Sequence, residues 1–182
     1  IVDCAARHLD QGQTVMILAS CAYMLGPTIT ALREQGLPFH NPYRIVNGAW
    51  NPLGAKHGVS TRERLLAYLR PDRATWGEEA RWWTDEDLRA WLTMLRAEHI
   101  RGVKKDRVTN AMSEWALDYL VDALPAARHD VGWLAASVTK QYARPLEYAA
   151  TVAEKRGGKT LREVPPVTVG TIHSVKGGEN DV

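Results

Sequence analysis

The stretch that most limits what this chain can become is its last one. It runs Val167-Thr168-Val169-Gly170-Thr171-Ile172-His173-Ser174-Val175-Lys176-Gly177-Gly178-Glu179 and on to Val182. Its first half is β-branched and apolar, the composition of a strand buried in a parallel sheet. Its second half gathers hydroxyls, an imidazole, an ammonium, two glycines and a carboxylate. A strand ending in such a turn delivers anion- and ribose-seeking groups to its carboxyl end, where open α/β sheets bind ligands. An α/β fold is expected, with the chemistry at this strand end.

The rest of the sheet is sought near the other end. Val15-Met16-Ile17-Leu18-Ala19 is an unbroken apolar run, as in a buried parallel strand. Before it, Ile1, Val2, Ala5 and Leu9 fall near one helical face, and Gln11-Gly12-Gln13 closes that helix. Because Ile1 is not an initiator Met, the chain is expected to be a piece of a longer one. After a turn at Ser20-Cys21-Ala22, a helix is expected from about Pro27 to Gln35, with Gly36 as its C-cap. Leu37-Pro38-Phe39 then leads to a second extended piece near Tyr43-Arg44-Ile45-Val46.

From Trp50 the pattern becomes helical throughout. All seven tryptophans (Trp50, Trp76, Trp82, Trp83, Trp91, Trp115 and Trp133) lie between residues 50 and 133, the mark of a segment with its own core. Ser60-Thr61-Arg62-Glu63 is a capping box ahead of Leu65, Leu66 and Leu69. Thr84-Asp85-Glu86-Asp87 opens a helix whose stripe is Leu88, Trp91, Leu92 and Leu95. Further helices are expected from Thr109 or Asn110 to Pro125, after Asp130, and from Pro145 to Gly157-Gly158. The expected organisation is an α/β framework at 1–48 and 165–182, interrupted by an all-α insertion at 49–164.

Composition removes several classes. No window approaches the roughly 18 apolar residues of a membrane span, and no signal peptide is visible, so a cytoplasmic protein is expected. Cys4 and Cys21 make neither a metal spacing nor a disulfide framework. A net charge of +2 leaves any case for nucleic acid to local clustering.

Two further stretches draw the eye. Ala153 to Thr160 ends in Gly157-Gly158-Lys159-Thr160, a relaxed phosphate-loop pattern, but a helix rather than a strand precedes it. A helix C-cap with solvated basic neighbours is the better account, and a self-contained nucleotide site there is the lesser alternative. The loop His99 to Arg107 carries Arg101, Lys104 and Lys105 around Gly102, so it reads as either a solvated connector or a clamp on a duplex backbone. Trp91 and Trp115 are read as core.

The order Thr171-x-His173-Ser174-x-Lys176-Gly177-x-Glu179 resembles motif V of the superfamily 1 DNA helicases of the UvrD/Rep/PcrA type. Met16-Ile17-Leu18 through Leu37-Pro38-Phe39, followed by Arg44-Ile45-Val46-Asn47-Gly48, is similar to that family's strand–helix–strand before its inserted domain. Ser60 to Arg70 is similar to the first helix of the insertion. Gly178 and Asn180 replace residues the family usually has bulky or aromatic, and Ser20-Cys21-Ala22 replaces its Arg-Thr-Asn-like trio.

The resemblance implies a second RecA-like domain (2A), with a partial parallel sheet, split by a helical 2B domain. It implies that Thr171 and His173 touch single-stranded DNA while Ser174 and Lys176 shape that contact. Gly177 would approach the nucleotide phosphates and Glu179 would bind the ATP ribose. ATP and Mg2+ would be used with a RecA-like 1A domain outside this chain, and single-stranded and duplex DNA would be the partners. The chain alone is expected to be inactive as an ATPase, having no credible Walker A loop. A non-motor nucleic-acid-binding or interaction module, and the helicase part of a helicase–nuclease, are the alternatives.

Overall fold

The computed structural model describes residues 1–55, 58–69, 85–100 and 131–175. Among them are six α-helices and a three-stranded, wholly parallel sheet, an α/β arrangement. The chain divides into two compact units, Ile1–Arg62 with Tyr148–Val182, and Glu63–Glu147. Residues 49–62 and 148–164, placed by composition in the insertion, thus group with the strands; Trp50, Leu53, Tyr148, Val152 and Leu161 are all buried.

In the first unit, helix α1 (Val2–Asp10) precedes strand β1 (Val15–Ala19). A 3-10 turn (Ala22–Leu25) then leads into α2 (Gly26–Glu34) and the two-residue strand β2 (Phe39–His40). Strand β3 (Val167–Thr171) is last in sequence but central in space, giving the order β1-β3-β2. Val15 pairs with Val167 and Ala19 with Thr171, while Phe39 also lies opposite Val167. Val167 and Val169 are fully buried, whereas Leu18 on the edge strand β1 keeps part of its surface open.

Helix α2 ends in a Schellman motif. Gly36 N–H donates to Arg33 O at 3.0 Å and Leu37 N–H to Leu32 O at 2.9 Å, with both leucines buried. Gly36 is needed twice: its φ is +63°, and a Cβ there would stand 2.9 Å from Thr151 O.

The second extended piece does not lie at Tyr43–Val46. Strand pairing stops at His40, since Pro42 has no N–H to offer and Asn41 folds the chain into a turn. Ile45 and Val46 consequently face solvent, while Phe39 takes the core position.

In the second unit, α3 (Thr61–Leu69) crosses the unit boundary and buries Leu65 and Tyr68, so Tyr68 rather than Leu66 or Leu69 shares the core face. Tyr68 meets Trp91 edge-on at 5.2 Å between ring centroids. Helix α4 (Asp85–Leu92) carries Leu88, Trp91 and Leu92 inward as the stripe predicted. It stops before Leu95, which instead forms an isolated antiparallel bridge with Val138. Arg96 N–H donates to Ser137 O and Thr139 N–H to Met94 O, both at 2.9 Å, so backbone pairing replaces the last helical turn.

Helix α5 (Val131–Ser137) is followed by α6 (Lys140–Arg156), inside which the second unit boundary falls. The expected start at Pro145 is five residues late. Pro145 lies inside α6, where its missing N–H leaves out the bond to the carbonyl of Gln141, an exposed residue. Trp82, Trp83, Trp115 and the helix expected between Thr109 and Pro125 lie outside the described residues.

Candidate functional site

Parallel strands end together. Ala19, His40 and Thr171 therefore bring the three following loops to one edge of the sheet. The turn after β3 is closed by a single side chain. Ser174 Oγ accepts the Thr171 N–H and donates to Thr171 O, both at 2.9 Å. Ser174 N–H also reaches Thr171 O at 2.8 Å, and Ile172 N–H extends the ladder to Ala19 O at 3.1 Å. Ser174 and Val175 are buried, Thr171 is half-buried, and Ile172 and His173 are exposed.

Asn41 supports this turn from β2. Its side chain is wholly buried, donating from Nδ2 to Val169 O at 2.7 Å and lying 3.4 Å from Ser174 Oγ. Its Oδ1 accepts the Tyr43 N–H at 2.9 Å, an Asx-turn that directs the loop after β2. Asn51 backs it, accepting the Asn41 N–H at 2.9 Å and donating to Arg44 O and Asn47 O at 2.9 and 3.1 Å. Gly170 makes room for the cluster, since a Cβ there would fall 2.5 Å from Asn41 Nδ2 and 2.6 Å from Ser174 Oγ. The polar groups at the heart of this cluster are neutral and mutually bonded, so it holds its shape without a buried charge.

Of the residues expected to act, the structure brings Thr171, His173 and Ser174 together at this edge, with Ser174 turned inward as the clasp. Lys176, Gly177 and Glu179, and likewise Arg101, Lys104 and Lys105, lie outside the described residues. Nothing in the local sequence singles out Asn41, whose partners are 128 and 133 residues away. An Asn-Pro pair directly after an apolar strand is the signal that points to it. His40, half-buried beside it, has its pKa lowered by loss of solvent, which favours the neutral ring.

A second signal was open to sequence. Residues 11–33, 35–62 and 164–178, which hold all three strands and the loops leaving them, contain no Asp or Glu. Asp10, Glu34 and Glu163 stand instead where the chain approaches β1, β2 and β3, at the opposite edge. Asp10 is paired there with Arg156 at 2.7 Å. The carboxyl edge is thus free of carboxylates across the described loops, the electrostatic setting an anionic ligand needs.

The phosphate-loop lookalike has the wrong surroundings. Gly157, at φ +85°, terminates α6, and Thr160 Oγ1 donates to Arg156 O at 2.8 Å. A phosphate there would face the negative end of a helix. Leu161, in a 3-10 turn at Gly158–Arg162 where no helix was expected, is buried in the core.

No helix among the described residues is long and apolar enough to cross a membrane. No protein-family model, curated protein or solved structure matches this chain.

Proposed function

We propose that this chain is the 2A domain, with a helical 2B-like insertion, of an ATP-dependent superfamily 1 DNA helicase. The observation that carries the reading is the turn after β3. There a buried Ser174–Asn41 clasp holds Thr171 and presents His173 at the carboxylate-free edge of a parallel sheet. A threonine hydroxyl and an exposed imidazole suit a phosphate backbone bound without base readout. In the same reading Lys176 supports that contact, Gly177 admits the nucleotide phosphates and Glu179 accepts a hydrogen bond from the ribose. ATP and Mg2+ would sit between this edge and a 1A domain supplying the phosphate loop. The short link from β3 to Glu179 then ties nucleotide state to grip on the strand. Arg101, Lys104 and Lys105 are the candidates for contact with duplex DNA.

Binding of a fluorescent single-stranded oligonucleotide by the chain tests this directly. His173→Ala should weaken binding about 5- to 10-fold, as expected for one lost phosphate contact, and salt should weaken it further. Glu179→Ala should leave single-strand binding unchanged. In a polypeptide that also carries the 1A domain, it should raise the KM for ATP about 10- to 150-fold, the value of a hydrogen bond to a charged group. Failure of the chain to bind single strands, or collapse of DNA binding in Glu179→Ala, refutes the assignment.

A further inference from the structure

The aromatic residues of the first unit divide by position. Phe39, Trp50 and Tyr148 are buried, while Tyr23 and Tyr43, on the loops after β1 and β2, are 82% and 48% exposed. We propose that Tyr23 and Tyr43 flank His173 as a stacking rim for the unpaired bases of a single-stranded nucleic acid. The proposal rests on the reading that this edge binds a nucleic-acid backbone, and it adds the groups that would hold the bases.

Both rings are carried on fixed backbone. Tyr23 lies in the 3-10 turn Ala22–Leu25, which packs against β1 and β3 and is pinned by the buried Leu25. Tyr43 is held through its N–H by Asn41, the residue that also braces the His173 turn. Because β3 lies between β1 and β2, the His173 turn lies between the two tyrosine-bearing loops. Adjacent strands are about 4.8 Å apart, so the row spans roughly 10 Å at the strand ends.

Charge decides what such a row would hold. The loops carrying the tyrosines contain no carboxylate, and Arg44 is exposed next to Tyr43. Exposed aromatic rings beside cations and an imidazole are how single strands are bound without sequence preference, rings taking base faces and cations the phosphates. A duplex hides those faces, so the rim should favour single strands. Met24 and Ile172, also exposed here, extend the apolar surface offered to a base.

The test uses the whole chain and fluorescence anisotropy, with a labelled oligothymidylate, an abasic strand of equal length and a duplex. Tyr23→Leu and Tyr43→Leu should each weaken oligothymidylate binding about 5- to 10-fold, the lower end of the stacking range. Neither should alter binding to the abasic strand, and Tyr23→Phe should bind as the parent does. His173→Ala should weaken binding to both single strands. Unchanged circular dichroism melts would show that the variants are folded. Parental affinity in the double leucine variant, with His173 still required, overturns the stacking rim and leaves the backbone reading standing. Equal losses on the abasic strand overturn it too. No binding of any single strand by the parent chain removes both.

Discussion

Asn41→Ala should loosen the candidate site from within. The amide donates to Val169 O at 2.7 Å and accepts the Tyr43 N–H at 2.9 Å, from a side chain with no exposed surface. Truncation leaves the buried Val169 carbonyl without that donor, a loss of about 1–3 kcal/mol. The Tyr43 N–H is closer to solvent and can turn to water, adding about 0.5–1 kcal/mol. The contact with Ser174 Oγ, at 3.4 Å, is too long to add much. The sum is about 2–4 kcal/mol, a large share of the 5–15 kcal/mol typical of a domain. Since the chain forms two units, a single melting temperature would blur the effect. Hydrogen exchange read on the peptide spanning β3 and its turn isolates it, with protection falling about 30- to 1000-fold. Asn41→Asp should do worse, keeping the acceptor for Tyr43 but setting a carboxylate against the Val169 carbonyl. Exchange within threefold of the parent in Asn41→Ala would show that water replaces the amide and that the clasp does not depend on it.

Gly36→Ala should lower the urea midpoint of the first unit by about 1–3 kcal/mol, because Gly36 combines a positive φ with close approach to Thr151 O. Tyr148→Phe should cost about 1–2 kcal/mol near neutral pH, as its hydroxyl donates to Leu37 O at 2.6 Å inside the core. Burial holds the Tyr148 phenol well above its ordinary value, so its share of stability is complete below about pH 10 and is lost as pH rises beyond it. Alkaline unfolding followed by circular dichroism should therefore be less steep in Tyr148→Phe. His40 works in the opposite direction. Its lowered pKa gives stability that is present above about pH 6.5 and lost as pH falls below it, so His40→Leu should flatten the acid limb.

Much of the framework could be read directly because it is local. Val15–Ala19 and Val167–Thr171 are runs in which apolar or β-branched residues predominate, and α2 carries its stop signal in Gly36. Elements set by distant partners could not. β2 is two residues long and exists because β3 lies beside it, which no window around Phe39 reveals. Leu95 continues a helical stripe on paper but is taken by Val138, and Pro145 sits inside a helix whose start signal it resembles. The site divides in the same way: Thr171, His173 and Ser174 follow from one strand and its turn, whereas Asn41 and the space left at Gly170 appear only when residues far apart in sequence meet.

The central place of β3 sets the order in which the protein can be made. Residue 15 has no partner until residue 167 exists, and residue 39 waits for the same one. At about 5–20 residues per second, β2 leaves the ribosome roughly 6–25 s before the strand that pairs with it. Glu63–Glu147 is complete in that interval and can collapse on its own contacts. The sheet is closed by the strand that bears the His173 turn, so a nascent chain acquires its scaffold and its candidate binding edge in one late step. Until then β1 and β2 are unpaired edges, the stage at which this chain would most need a chaperone.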